Sequence, residues 1–284
     1  MDRYWLPALI IGLTFAQEEK EVVRATFKGT RLYNFHTSEL LPARHLEFRV
    51  GHRFGDMRQG YRQFFGIDAG AQVRVSFAYG IHPRAEIGIE RTGTGKWWNT
   101  YLKVRFFSQT SPTGLPFSLT WLGSAFLTEQ EDRQRYSAFL SRMEYFQQLM
   151  LARKFSARFS ALLALLWLHQ NMALTPEAPN DWFWGLMAMR YKVSHRIVLW
   201  VEGALPLWSG AYAKVSHPLP SYQIPAAAGI EIDTGGHLFQ IGLTNADGLS
   251  ENQNLLTTRP LLRFGFNISR TFSFQSGLQY GTRE

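Results

Sequence analysis

The sequence predicts an all-β chain folded as an antiparallel transmembrane β-barrel of about twelve strands, with short turns at one rim and longer loops at the other. Three observations carry this. Segments that alternate with period two run about nine to twelve residues, enough to cross a bilayer when tilted, whereas strands of globular proteins more often run about five or six. The connections between these segments alternate in length. The chain also opens on a stretch that reads as a secretory signal.

Composition narrows the class. The chain has 284 residues, 45% hydrophobic and 18% charged, with a net charge of +8. That suits one large β unit and is not the composition of a disordered chain. Mean hydropathy is slightly negative, which argues against a helical membrane protein. Aromatic residues reach 15%; they suit interfacial girdles, and also a carbohydrate binder or an all-β core. Cysteine is absent, which removes disulfides, thiol catalysis and thiolate metal sites. The positive charge fits contact with anionic headgroups. No Lys/Arg cluster is dense enough to favour nucleic acid.

In chain order, "MDRYWLPALIIGLTFA" (1–16) is the expected signal peptide. Arg3 lies in its short n-region, an apolar stretch runs from Trp5 to Phe15, and small residues Thr14 and Ala16 precede cleavage. The stretch is too short to span a bilayer as a helix. Residues 17–43 are expected to form a periplasmic segment or a plug, and 44–284 the barrel. Strands are expected near 44–54, 69–80, 85–91, 97–107, 117–128, 142–153, 158–168, 182–191, 197–205, 223–233, 236–245 and 260–269. Turns around "GIHPR", "KFSAR", "KVSHR" and "DTGG" are short, whereas "GDMRQGYRQFFG", "TEQEDRQR", "HQNMALTPEAPN", "LWSGAYAKVSHPLPS" and "ADGLSENQNLLTTRP" are long. Short turns belong to the periplasmic side, so the loops holding Gln130, Glu177, Tyr212 and Asn252 are expected outside the cell.

The short turns resemble one another. "YGIHPRAEI" (79–87) and "YKVSHRIVL" (191–199) match position by position, and "RKFSARFSA" (153–161) and "FNISRTFSF" (266–274) are looser copies. Their aromatics suit the membrane interface, and their arginines reach headgroups. "FSFQSGLQY" (272–280) also alternates and would make thirteen strands; adding "VVRATFKGTRLY" (22–33) would make fourteen. Fourteen would turn the long loops toward the periplasm, so twelve strands with a tail is preferred.

In "LEFRVGHRFG" (46–55), Leu46, Phe48 and Val50 share one face and Glu47, Arg49 and Arg53 the other. In a membrane barrel the apolar face meets lipid and the charges line the lumen. The same parity through the chain sends Glu47, Arg49, Arg53, Arg74, Glu86, Glu90, Lys103, Arg105, Glu202, Glu231 and Arg263 inward. Register is ambiguous in 142–153, where Gln147 falls on the lipid face, and in 182–191.

Several segments are similar to a family of outer-membrane β-barrel proteins of Bacteroidetes bacteria, known by a domain-of-unknown-function label: "ATFKGTRL" (25–32), "LEFRVGHRFGD" (46–56), "FFGID" (64–68), "LMLARKFS" (149–156), "IEIDTGGHLFQIGLTNA" (230–246) and "FGFNISRTF" (264–272). The resemblance implies the barrel fold and the bacterial outer membrane. It brings no established activity and no catalytic residues.

Nothing in the residues points to a catalytic centre. His52 and His237 lack a second ligand at metal spacing and read as interfacial histidines. "NADGLSEN" (245–252) has loop oxygens but not EF-hand spacing. No cofactor is implied; an outer-membrane lipid-modifying enzyme, which needs a Ser and a His on the lipid-facing wall, is carried as a further alternative, although no motif supports it. The lumen is where the leading readings place the function. It is a pore for small polar or anionic solutes, or a salt-bridged scaffold that fills the barrel, supports it and leaves the loops to bind a partner. A channel is the leading expectation. Six of the inward charges are basic and five acidic. Arg49, Arg74, Lys103 and Arg105 fall along one wall, which predicts a weak anion preference. The expected surroundings are outer-membrane lipid and lipopolysaccharide, with a periplasmic or extracellular protein as a further partner.

Overall fold

The computed structural model describes residues 22, 23, 25–110, 114–130, 132, 135–173, 178–207, 223–256 and 260–274. The expected signal peptide lies outside them. Twelve strands form one closed antiparallel barrel: β1 His45–Asp56, β2 Gln72–His82, β3 Ala85–Thr92, β4 Trp97–Phe107, β5 Ser118–Thr128, β6 Met143–Lys154, β7 Phe159–Gln170, β8 Asp181–Lys192, β9 Ile197–Pro206, β10 Ala226–Asp233, β11 Leu238–Thr244 and β12 Arg263–Ser273. Each strand pairs with its neighbours in sequence, and β1 pairs with β12 to close the ring. Phe48 stands opposite Phe77 on one side and Arg270 on the other. Closure leaves no free edge, so each strand's backbone finds its partners within the wall, as lipid demands.

Among the described residues the strand count is twelve, and residues 275–280 of the candidate thirteenth strand lie outside them. β12 runs on through Ser273 and takes in the start of the candidate thirteenth strand. The described residues of 22–33 are not a strand of the wall; from Thr26 onward they are mostly buried inside the barrel.

Period two sorts the side chains. On β7, Leu163 and Leu165 point outward and are 56% and 59% exposed, a surface that water would penalise and lipid would not. Gln147 does face outward, where it accepts a 2.8 Å bond from the Trp121 indole and so has a partner for its carbonyl. His52 also faces outward, stacked on Phe266 at 4.8 Å. In β8, Trp182, Trp184, Leu186 and Ala188 point inward while Phe183 and Met187 point out, which resolves that register.

The inner wall has two unlike halves. On β1 to β4 it carries Arg49, Arg53, Arg74, Glu86, Glu90 and Lys103, all buried. On β6 to β8 it carries Phe146, Met150, Leu162, Leu166, Leu168, Trp182, Trp184 and Leu186, also buried. "FSALLALLWL" is apolar on both faces, so alternation alone could not say which face was inner. A core of mixed character fills the space between the halves. Phe27, Leu32, Phe35 and Leu41 of the N-terminal segment join the apolar wall in one cluster, with Leu255 and Leu256 of a short helix, α1 (Glu251–Leu256). Helix α1 belongs to the β11–β12 connection. The loop around Asn252 lies at the long-loop rim and folds inward, with Asn252 only 2% exposed. Glu177 and Tyr212 lie outside the described residues, and Gln130 is exposed.

A ladder with no free edge resists detergent until heated. Unheated protein in dodecyl sulfate is expected to migrate apart from the boiled form on a gel. A single mobility under both treatments would contradict a closed barrel.

Candidate functional site: a plugged lumen

The N-terminal segment enters and leaves by the short-turn rim. Val23 donates its amide to the Gln109 carbonyl at 2.8 Å, in the β4–β5 connection. Inside, the chain reverses: Leu32 donates to the Phe35 carbonyl at 2.8 Å, and Thr37 to the Thr30 carbonyl at 3.1 Å. It returns past Glu86, which accepts the Leu41 amide at 2.7 Å, and enters β1. Residues 26–41 are thus a re-entrant plug. Its tip is dry, with Tyr33, Phe35 and His36 at most 1% exposed.

Arg31 is the centre of the tip. Its guanidinium pairs with Glu90 of β3 at 2.5 Å and with Glu251 of α1, and meets His36 Nε2 at 2.6 Å. One side chain therefore ties the plug to the wall and to a loop from the opposite rim. Burial opposes its charge, but Glu251 and Glu90 hold the guanidinium protonated, above its ordinary value. His36 is driven the other way. Burial first, then the positive charge of Arg31, Lys103, Arg74 and Arg49, keeps the imidazole neutral, well below its ordinary value.

Aromatic stacking forms the second attachment. Trp200 points inward and lies across Gly229 and Gly242, where an added Cβ would come within 2.6 Å of the indole. Tyr33 stacks on Trp200 at 4.8 Å, and the Arg53 guanidinium sits 3.5 Å from the centre of the Tyr33 ring. Glycine wall, indole, phenol and guanidinium make four layers. Cation–π attraction strengthens when water is excluded.

The remaining sequence-predicted residues are also placed. Glu47 accepts a 2.8 Å bond from Thr30 and pairs with Arg49 at 3.0 Å, while Arg49 donates to the Thr30 hydroxyl at 3.3 Å. Lys103 pairs with Glu86 at 2.8 Å and donates to the Glu39 carbonyl at 2.7 Å. Arg105 pairs with Glu39 at 3.2 Å, and Glu202 accepts the Asn34 amide at 2.8 Å. Three do not bond the plug. Arg74 donates to the Leu249 carbonyl at 2.5 Å in the β11–β12 connection. Arg263 pairs with Asp247 at the long-loop end, and Glu231 lies 3.7 Å from Arg190 at the short-turn mouth.

In this conformation the space beside the expected basic wall is occupied by the plug. Arg49, Lys103 and Arg105 each have a carboxylate partner, whereas buried Arg53 and Arg74 donate to the carbonyls of Tyr33 and Leu249, since a charge removed from water needs a paired or hydrogen-bonded partner. Sequence reasoning missed Arg31, Tyr33, His36, Trp200 and Glu251. The available signal was "KGTRLYNFHTSE" (28–39), unusually polar for a segment with no strand period.

Two solved porins share the fold at 9% identity and a TM-score of 0.50, with 80% of this chain and 99% of theirs covered: NanC porin, and KdgM porin in complex with disordered oligogalacturonate. A likeness at that identity speaks for architecture alone. No curated protein is detectably similar to the chain. A family described as "Membrane bound beta barrel domain" matches residues 27–272, a span that takes in all but the first residue of the plug, all but the last residue of the closed wall, and the inward-folded α1, and this chain is a member of that family, DUF5777.

Proposed function

We propose that the protein is an outer-membrane channel for small polar or anionic solutes, held shut in this conformation by its own N-terminal segment. One observation carries the reading: no residue of the 26–41 plug takes part in the strand ladder, which is complete without it. Both ends of the plug leave by the same rim, so it can withdraw without breaking the wall. Behind it stand Glu47, Arg49, Arg53, Lys103, Arg105 and Glu202, a lining that water would solvate. A twelve-stranded barrel is wide enough to hold such a path. The signal-like opening and the lipid-facing wall support the bacterial outer membrane, amid phospholipid and lipopolysaccharide. The usual topology then turns the short-turn rim, and the plug, toward the periplasm. The porin captured with oligogalacturonate makes acidic sugars a first class of solute to try.

A second reading has its own observation. Arg31 is locked by two carboxylates from different elements. Such a centre also suits a permanently filled scaffold that displays its loops to a protein partner.

Planar bilayers decide between them. In a salt gradient, the full-length protein is expected to open rarely, with a reversal potential displaced toward anions. Replacing Arg74 and Arg105 by Gln is expected to reduce that displacement. Steady cation selectivity would overturn the anion preference, and well-folded protein that never opens would favour the scaffold.

A further inference from the structure

The mouth at the short-turn rim holds a second, unassigned feature. A cavity of about 180 Å³ lies between the plug and the ends of β6 to β10. Six cationic side chains line it: Lys28 of the plug and Lys154, Arg158, Arg190, Lys192 and Arg196 of the wall. Only two carboxylates, Glu231 and Asp233, face them. Asp233 is engaged by Lys28 at 2.8 Å, and Glu231 lies 3.7 Å from Arg190. Arg158, Lys192 and Arg196 have no ion-pair partner among the described residues.

The cluster is built by a repeated turn. "KFSAR" (154–158) and "KVSHR" (192–196) put Lys and Arg four residues apart around a serine. Ser156 Oγ accepts from the amides of Arg158 and Phe159 at 3.2 and 3.0 Å; Ser194 Oγ accepts from Arg196 and Ile197 at 3.4 and 3.2 Å. The two turns are joined where the Lys192 amide donates to the Arg158 carbonyl at 2.7 Å. Parity sets their direction. Lys154 follows inward Met150 and Ala152, and Arg190 and Lys192 follow inward Leu186 and Ala188. These cations converge on the aqueous mouth and not on the lipid.

We propose that this mouth is a binding site for a small multivalent oxyanion, carboxylate or phosphate. An excess of like charge around a small concave space is relieved by an anion that accepts several charge-assisted bonds at once. Lys28 belongs to the plug, so the same anion bridges plug to wall and stabilises the closed state by linkage. The physiological role of the site rests on the channel reading; its chemistry does not.

The test is calorimetric titration of the full-length protein, in non-ionic detergent free of phospholipid and at low ionic strength, with inorganic pyrophosphate and with citrate. Saturable binding at one site is expected. The Arg158→Gln/Arg196→Gln variant removes two exposed turn residues and is expected to bind at least about ten-fold more weakly, as the loss of charge-assisted bonds implies. The Arg142→Gln/Arg153→Gln variant, altered outside the cavity, is expected to bind as the parent does. No saturable binding, or equal weakening in both variants, overturns the site. Retained phospholipid that the turn variant loses, and that pyrophosphate does not displace, assigns these arginines to headgroups and also overturns it. The titration needs no conductance. Failure here beside a conducting plug-deleted barrel sinks only the site, and binding by a barrel that never conducts sinks only the channel.

Discussion

Deleting residues 26–41 is expected to turn a near-silent barrel into a steadily conducting one. The deletion removes the dry tip and leaves every strand pairing in place. Water then enters beside Glu47, Arg49 and Lys103, whose wall partners remain: Glu47 with Arg49 at 3.0 Å and Glu86 with Lys103 at 2.8 Å. Glu90 and Glu202 lose their plug partners and are hydrated instead. The cost falls on the other half of the wall. Leu166, Trp182 and Trp184 lose apolar cover at roughly 25 cal/mol per Å² newly wetted. The variant is therefore expected to unfold at a lower temperature while keeping its heat-dependent gel mobility. Helix α1 still occupies part of the bore, so deleting residues 250–256 as well should raise the conductance step further. Single-channel recording reads both. Silence from well-folded barrels of both variants would overturn the channel and leave the filled scaffold.

Arg31→Gln is expected to free the plug without deleting it. Removing one member of a buried ion pair costs about 3–5 kcal/mol, because the partner charges stay behind unpaired. Here two carboxylates, Glu90 and Glu251, would be left facing each other. The ratio of docked to released plug should fall by at least roughly a hundred-fold, at 1.4 kcal/mol per factor of ten. Adding Glu251→Gln should restore part of the docking, since one unpaired charge is then gone. Arg31→Lys should lie between, for a single ammonium cannot fork to two carboxylates. The absence of cysteine makes the readout clean. A Thr37→Cys probe, buried in the docked plug, should be protected from a water-soluble thiol reagent in the parent and labelled in Arg31→Gln. Equal protection in both would show that Arg31 does not hold the plug.

The wall was legible in the sequence. Alternation along "LEFRVGHRFG" placed Glu47, Arg49 and Arg53 inward and Leu46, Phe48 and Val50 outward, because which face a strand residue takes depends only on neighbours two positions away. The repeated short turns set the order of hairpins for the same local reason. The family resemblance rested on these stretches and on residues 25–32 leading into the plug, though it did not say where those residues go. Two things were not legible. In 158–168 both faces are apolar, so the inner face was decided by the buried cluster it joins, to which Phe35 and Leu32 also belong. The contents of the lumen were decided by the closed barrel alone. Arg31 and Glu251 lie 220 residues apart, and Tyr33 reaches Trp200 from the other side of the chain. Period two passes from each residue to the next but one, whereas a cation between Glu90 and Glu251 has partners only after twelve strands have closed around it.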